Sequence, residues 1–365
     1  MRGLLLCVVI MLVGCAPRGA LGPIAEATPG RTLPIFVGST RGTDPETGAD
    51  FAYTRSENLE LARFDVSVPP VREIGELRFP RLGRKVDPTR DFMLAGETVF
   101  DAPAAFRADL RRDLAQHGGD AVVFVHGFNT NFAEGLYRLA QMGEDFALPG
   151  TLVTYAWPSR GHVMGYAYDR DSALFARDGL QKLLAELRGA GARHIRLVAH
   201  SMGAALTMET LRQIALSGDR ATLSALNGVV LISPDIDVDL FREQAHTVGR
   251  LPQPFLIFTS EKDKALSLSS RIAGEAARLG NLRQVERVAD LKVTMIDVAA
   301  YNTRDGHFNV ATNPALINIL RDTSQMAQIL EGEQTGRRSL ASGVMMTVEN
   351  ATEVILSPFT ALGGG

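Results

Sequence analysis

The stretch Ile195-Arg-Leu-Val-Ala-His-Ser201-Met-Gly-Ala-Ala205 decides the fold. An apolar run ends at a serine flanked by small residues, and a run that reads as helix follows. Ala199-His200-Ser201-Met202-Gly203 differs by one residue from the G-x-S-x-G elbow, in which a serine sits on a tight strand-to-helix turn with its hydroxyl exposed above a sheet. Small residues at Ala199, Gly203 and Ala205 let the helix approach neighbouring strands. A short pattern of this kind also arises by chance. Its weight depends on whether the chain supplies a histidine, a carboxylate and an oxyanion site in matching places.

Around this stretch, strand-like and helix-like segments alternate. Residues 121–125, 151–156, 195–199, 226–232, 255–259 and 293–298 read as strands. Residues 103–116, 132–146, 173–187, 202–217, 240–248 and 266–275 read as helices. A closing helix is expected over 314–330, with Asn313 as N-cap and Pro314 at its first position. Such alternation predicts an α/β fold: a mostly parallel sheet with helices on both faces. Ligands then bind at the carboxyl ends of the strands. Upstream, residues 34–37 and 64–68 read as short strands between prolines, with partly antiparallel pieces at a sheet edge.

The chain has 365 residues, a net charge of −3, 45% hydrophobic and 22% charged residues. This balance gives no sign of a nucleic-acid partner. Met1-Arg2 and the apolar run Leu4 to Val13 read as a signal-peptide core, too short to span a bilayer. It ends in Leu12-Val13-Gly14-Cys15, which resembles the bacterial lipobox and implies cleavage before Cys15 and lipidation of its thiol. The expected boundaries are a signal peptide over 1–14, a lipid-anchored linker over 15–30, the α/β domain over 31–330 and a flexible tail over 331–365. The expected location is the exported side of a bacterial membrane, anchored rather than spanning. The two cysteines are Cys7 in the leader and Cys15 just after it, so the body has no disulfide, no cysteine nucleophile and no cysteine metal site.

Three more segments bear on chemistry. In Val125-His126-Gly127-Phe128-Asn129, Gly127 permits a close turn that could aim the Phe128 N–H at the same point as the Met202 N–H, as an oxyanion hole requires. The same segment also reads as an ordinary tight turn capped by Asn129 or Thr130. In Phe258-Thr-Ser-Glu-Lys-Asp263-Lys, Asp263 follows a strand and can orient a histidine, or cap the next helix; Glu261 is its neighbour and substitute. Asp235, Asp237 and Asp239 are rival carboxylates that read better as helix caps than as an acid or a metal site, since only His246 stands near. His307, in Asn302-Thr-Arg-Asp-Gly-His307, lies in a loop after the last strand, placed to act as base. His117, His194, His200 and His162 are weaker candidates. Trp157 and Ser159 follow a strand at the same edge, either as pocket lining or as a buried tryptophan and a turn. Residues 161–170 read as part of a cap.

The order Ser201, Asp263, His307 is the order of α/β-hydrolases. On these residues the chain resembles the bacterial α/β-hydrolase family catalogued as DUF900. The resemblance rests on Phe124-Val-His-Gly-Phe-Asn129, Ala156-Trp-Pro-Ser159, Ala199-His-Ser-Met-Gly203, Ser233-Pro-Asp-Ile-Asp237 and Ser260-Glu-Lys-Asp-Lys-Ala-Leu266. It covers roughly residues 31–330 and departs from the general elbow at Ala199, where glycine is usual. It implies an esterase or lipase-like activity on an ester or lipid substrate, without cofactor or metal. An acyltransferase built on the same triad and a non-catalytic lipoprotein module are the alternatives.

Overall fold

The computed structural model describes residues 18–25, 28–81, 83–274, 278–301, 307–322, 336–340 and 343–357. The leader and Cys15 lie outside them, as do residues 302–306 just before His307. Among the described residues no helix is long and apolar enough to cross a membrane.

The strands are β1 (Thr32–Arg41), β2 (Arg55–Ser67), β3 (Met93–Phe100), β4 (Asp120–Val125), β5 (Thr151–Ala156), β6 (His194–His200), β7 (Leu226–Ile232), β8 (Phe255–Thr259), β9 (Thr294–Asp297), β10 (Gly336–Leu340), β11 (Gly343–Val348) and β12 (Ala351–Leu356). They form one sheet in the order β10-β11-β12-β9-β8-β7-β6-β4-β5-β1-β2-β3. From β1 through β5, β4, β6, β7, β8 and β9 to β12 every pairing is parallel. The antiparallel pairs β1–β2 and β2–β3 lie at one edge, as expected, and β10–β11 and β11–β12 at the other.

The helices are α1 (Pro103–Gln116), α2 (Phe132–Asp145), α3 (Tyr166–Ala190), α4 (Met202–Leu216), α5 (Arg220–Ala225), α6 (Val238–Val248), α7 (Lys264–Ala273), α8 (Asn309–Thr312) and α9 (Pro314–Arg321). They cover the sheet on both faces. Strand β4 shows why its residues are apolar without alternation. Ala121, Val123 and Val125 join one core, and Val122 and Phe124 join the other. Successive side chains leave a strand on opposite faces, and here both faces are dry.

Four expectations need correction. Over residues 343–356 the tail is not loose: β11 and β12 extend the sheet, with Met345, Ala351, Val354 and Leu356 buried. The glycines near its ends drew attention from the apolar face of Ala351-Thr-Glu-Val-Ile-Leu356. The linker is not free either. Residues 18–25 run along the domain, where Ala20 N–H donates to Pro80 O at 3.0 Å and Ala25 N–H to Leu94 O at 2.9 Å. Residues 166–170, expected in a cap, are the first turn of α3. Helix α9 starts as expected, with Asn313 accepting from Leu316 N–H, but ends at Arg321; residues 323–330 lie outside the described set.

Helix α3 packs close to the sheet at Gly38 of β1. A Cβ there would sit 2.8 Å from Leu183 Cδ1, and Leu183 is fully buried. Gly38→Ala is expected to cost about 1–3 kcal/mol by overpacking, and Leu183→Ala about 2–5 kcal/mol by leaving a cavity. The double variant should be more stable than the sum of the two by about 1 kcal/mol, because the new methyl enters the vacated space. Urea denaturation of the three variants measures the coupling; strict additivity would contradict the contact.

Candidate active site

The carboxyl ends of β4, β6, β7 and β8 bring the candidate residues to one edge. Ser201 follows β6 at φ +52° and ψ −121°. Few non-glycine residues adopt a positive φ, and those that do mark strained, over-determined positions. The surroundings fix it: Ser201 N–H donates to Ile232 O at 2.9 Å, and Ser201 O accepts from Asp235 N–H at 3.2 Å and Ala204 N–H at 3.0 Å. Its hydroxyl makes no capping bond to α4.

Two glycines make the elbow possible. A Cβ on Gly203 would lie 2.3 Å from His126 O and 2.5 Å from Val125 O, so α4 meets the end of β4 backbone to backbone. A Cβ on Gly127 would lie 3.0 Å from Ser201 Cβ and 2.6 Å from His200 Nδ1. The turn after β4 therefore abuts the turn after β6. Among the described residues, neither the Phe128 N–H nor the Met202 N–H donates a hydrogen bond.

Asp263 resolves the two readings of its role by filling both. Its Oδ1 accepts from Leu266 N–H at 3.0 Å, capping α7. Its Oδ2 accepts from His307 Nδ1–H at 2.8 Å. Asp263 is fully buried, while the His307 side chain is 21% exposed. That bond fixes the tautomer and leaves Nε2 to act on a proton.

The rivals are placed elsewhere. Glu261 pairs with Arg283 at 3.3 Å. Asp237 caps α6 through Leu240 N–H at 2.9 Å, and Asp239 pairs with Arg287. Asp235 is no cap. It is buried and accepts from Tyr166 OH at 2.9 Å and from Ser269 Oγ. His117 contacts Asp113, His194 pairs with Asp120, His246 with Asp290, and His162 Nδ1 accepts from Met164 N–H. No group of metal-ligating side chains occurs among the described residues.

Trp157 and Ser159 are not on a pocket surface. Both are fully buried. Trp157 Nε1–H donates to His126 O at 2.7 Å and its ring stacks on His126. Ser159 Oγ donates to Asp169 Oδ2 at 2.6 Å. Asp169 also accepts from Arg160 N–H at 2.7 Å and from Asn129 N–H at 3.3 Å. Asn129 stands at φ +57°. A single buried carboxylate thus shapes the loop that carries Phe128. Burial raises the Asp169 pKa, against the lowering effect of these bonds.

The sequence also understated His200. Its Nε2–H donates to His307 O at 3.3 Å, and its ring lies 4.7 Å from that of His307 and 4.1 Å from that of Phe308. It braces the backbone of the histidine that Asp263 holds by its side chain.

A serine on a strained elbow, a histidine tied to a buried carboxylate and a glycine turn facing the serine, all at the carboxyl edge of a parallel sheet, define an α/β-hydrolase. The chain belongs to the family described as "Alpha/beta hydrolase of unknown function (DUF900)", whose model matches residues 102–323. No curated protein matches it. Among solved structures, a cutinase-like protein from Cryptococcus sp. is 12% identical with a TM-score of 0.34, over 59% of this chain and 96% of its own. TT1662 from Thermus thermophilus is 13% identical with a TM-score of 0.35, over 59% of this chain and 90% of its own.

Two imidazoles near the site, His126 buried and His200 half-buried, resist protonation. Burial, then the charge of Arg41, pushes His126 down to about 3. Burial, then His307, holds His200 well below 6.5. Unfolded histidines take up protons from about pH 6.5 downward while these two do not, so the unfolded chain binds more protons and stability falls as pH drops. The loss runs from about 6.5 toward 3, and by pH 5 it should reach about 2 kcal/mol from His126 alone. Urea denaturation at pH 7 and pH 5 tests this; His126→Phe should flatten the dependence, and an unchanged slope in that variant would refute the assignment.

Proposed function

We propose that the protein is a serine hydrolase that cleaves carboxylic esters through an acyl-enzyme intermediate. The observation that carries this reading is the bond from His307 to the fully buried Asp263, at the same sheet edge that carries a serine held at positive φ. His307 Nε2 takes the Ser201 hydroxyl proton as the oxygen attacks the substrate carbonyl. Asp263 stabilises the imidazolium that forms. The N–H groups of Phe128 and Met202 receive the developing oxyanion. The imidazolium gives its proton to the leaving alcohol, and water, activated in the same way, releases the acid. Preference for an ester over an amide rests on the fold class.

A fluorophosphonate probe should label the protein at Ser201 and leave Ser201→Ala unlabelled; equal labelling of that variant would sink the reading. Asp263→Asn separates the two duties of this residue. Asparagine caps helices as well as aspartate, so the fold should hold, while kcat falls by roughly three to four orders of magnitude. A near-normal kcat in this variant would remove Asp263 from the machinery.

We further infer attachment to a membrane through a lipid on Cys15, supported by the apolar run and Leu12-Val13-Gly14-Cys15. Cys15→Ser should move the protein from the membrane fraction to the soluble one. Retention of the variant in membranes would count against lipidation.

A further inference from the structure

The residues on either side of Ser201 line two different cavities. His200, the residue before the serine, lines one of about 290 Å³ together with Gly127 and Phe308. Met202, the residue after it, lines another of about 240 Å³ between α3, α4 and α6.

The chemistry assigns them. The imidazole that takes the serine proton returns it to the leaving oxygen, so the alcohol part of an ester lies on the His307 side. The first cavity is on that side: His200 touches the His307 ring and Phe308 follows it in the chain. The second cavity is lined by neither. It is bounded instead by Met202 and by Tyr166, whose ring packs edge-on against that of Phe128 at 5.5 Å. It therefore adjoins Met202, one of the two proposed oxyanion donors, on the side that neither His200 nor Phe308 lines.

We propose that the cavity beside Met202 is the acyl subsite and that it admits only short acyl groups. This rests on the serine-esterase reading. Its walls at Ala205, Leu206 and Ile236 are apolar and suit a hydrocarbon chain. Beside Ala173, Leu174 and Leu240, one polar cluster also lines it. Asp235 accepts from Tyr166 OH at 2.9 Å and from Ser269 Oγ, and lies 3.3 Å from Arg278 Nε. The side chains of Asp235 and Arg278 are 3% and 8% exposed. A methylene pressed on this cluster would separate groups from their partners without replacing a bond, which is costly. The cavity of about 240 Å³ lies below the ~300–1,000 Å³ of clefts that take drug-sized ligands, which suits acyl chains of a few carbons.

The test is a series of p-nitrophenyl esters from acetate to dodecanoate on the full-length protein. kcat/KM should peak at butyrate or hexanoate and fall by roughly tenfold or more by dodecanoate. A rate that climbs through dodecanoate overturns the proposal. Ala205→Leu narrows the cavity and should lower the hexanoate-to-acetate ratio of kcat/KM by roughly tenfold. Ile236→Ala widens it and should move the optimum to longer chains, which provides a second reading if the first variant does not fold. In both, the ranking of different alcohols on a fixed acetyl group should stay as in the parent protein. If that ranking shifts while chain-length preference does not, the subsites are reversed and the assignment is wrong. If Ser201 fails to react with the fluorophosphonate and no ester is cleaved, the serine-esterase reading itself falls. If Ser201 reacts and esters turn over without a short-chain optimum, only the subsite proposal falls.

Discussion

The two oxygens of Asp263 join a helix to a loop. One closes the first turn of α7 and the other holds His307, while the residue itself is sealed from water. A buried carboxylate bonded on one side only would carry a desolvation cost of several kcal/mol. Here a backbone N–H and an imidazole N–H share the load. The strand β8 sets the height of this carboxylate above the sheet, and β6 sets that of Ser201. Because β7 lies between them in parallel register, helix α7, the histidine loop and the serine turn are positioned by one rigid platform.

The sequence carried this platform clearly. Unbroken apolar runs such as residues 121–125 announce strands buried on both faces, and the alternation with helices announces parallel pairing. Ser201, Asp263 and His307 could be singled out as candidates because each follows a strand or lies in the loop after one, and chain order limits the combinations. Asp263 as cap and Asp263 as histidine partner gave the same signal, since both tasks need a carboxylate just past a strand end; only coordinates show that two oxygens serve both.

What was not legible depended on contacts between distant segments. Asp169 shapes the Phe128 loop from across a gap of 40 residues in the chain, and nothing in its own neighbourhood marks it. His200 looked unhelpful because side chains on either side of an elbow diverge, yet the loop returning with His307 comes to it. Trp157 and Ser159 sit at a strand end like the catalytic candidates, but their hydrogen bonds turn them inward to brace His126 O and Asp169. Composition misled at both termini: proline and glycine suggested a tether over 15–30 and looseness after 331, whereas residues 18–25 are bonded to the body and residues 351–356 bury an apolar stripe.

The parallel pairing of β12 with β9 bears on how the molecule is made. β9 leads toward the His307 loop, and its outer neighbour lies more than fifty residues later in the chain: Thr294 pairs with Thr352. During synthesis from the N-terminus, β9 is an open sheet edge until β12 has emerged from the ribosome. Unpaired edges template pairing with other chains, and partly folded chains are most exposed to it. The segment that completes the sheet thus acts as a built-in guard for the strand that precedes the proposed base, and the order of translation determines how long that strand stays unguarded.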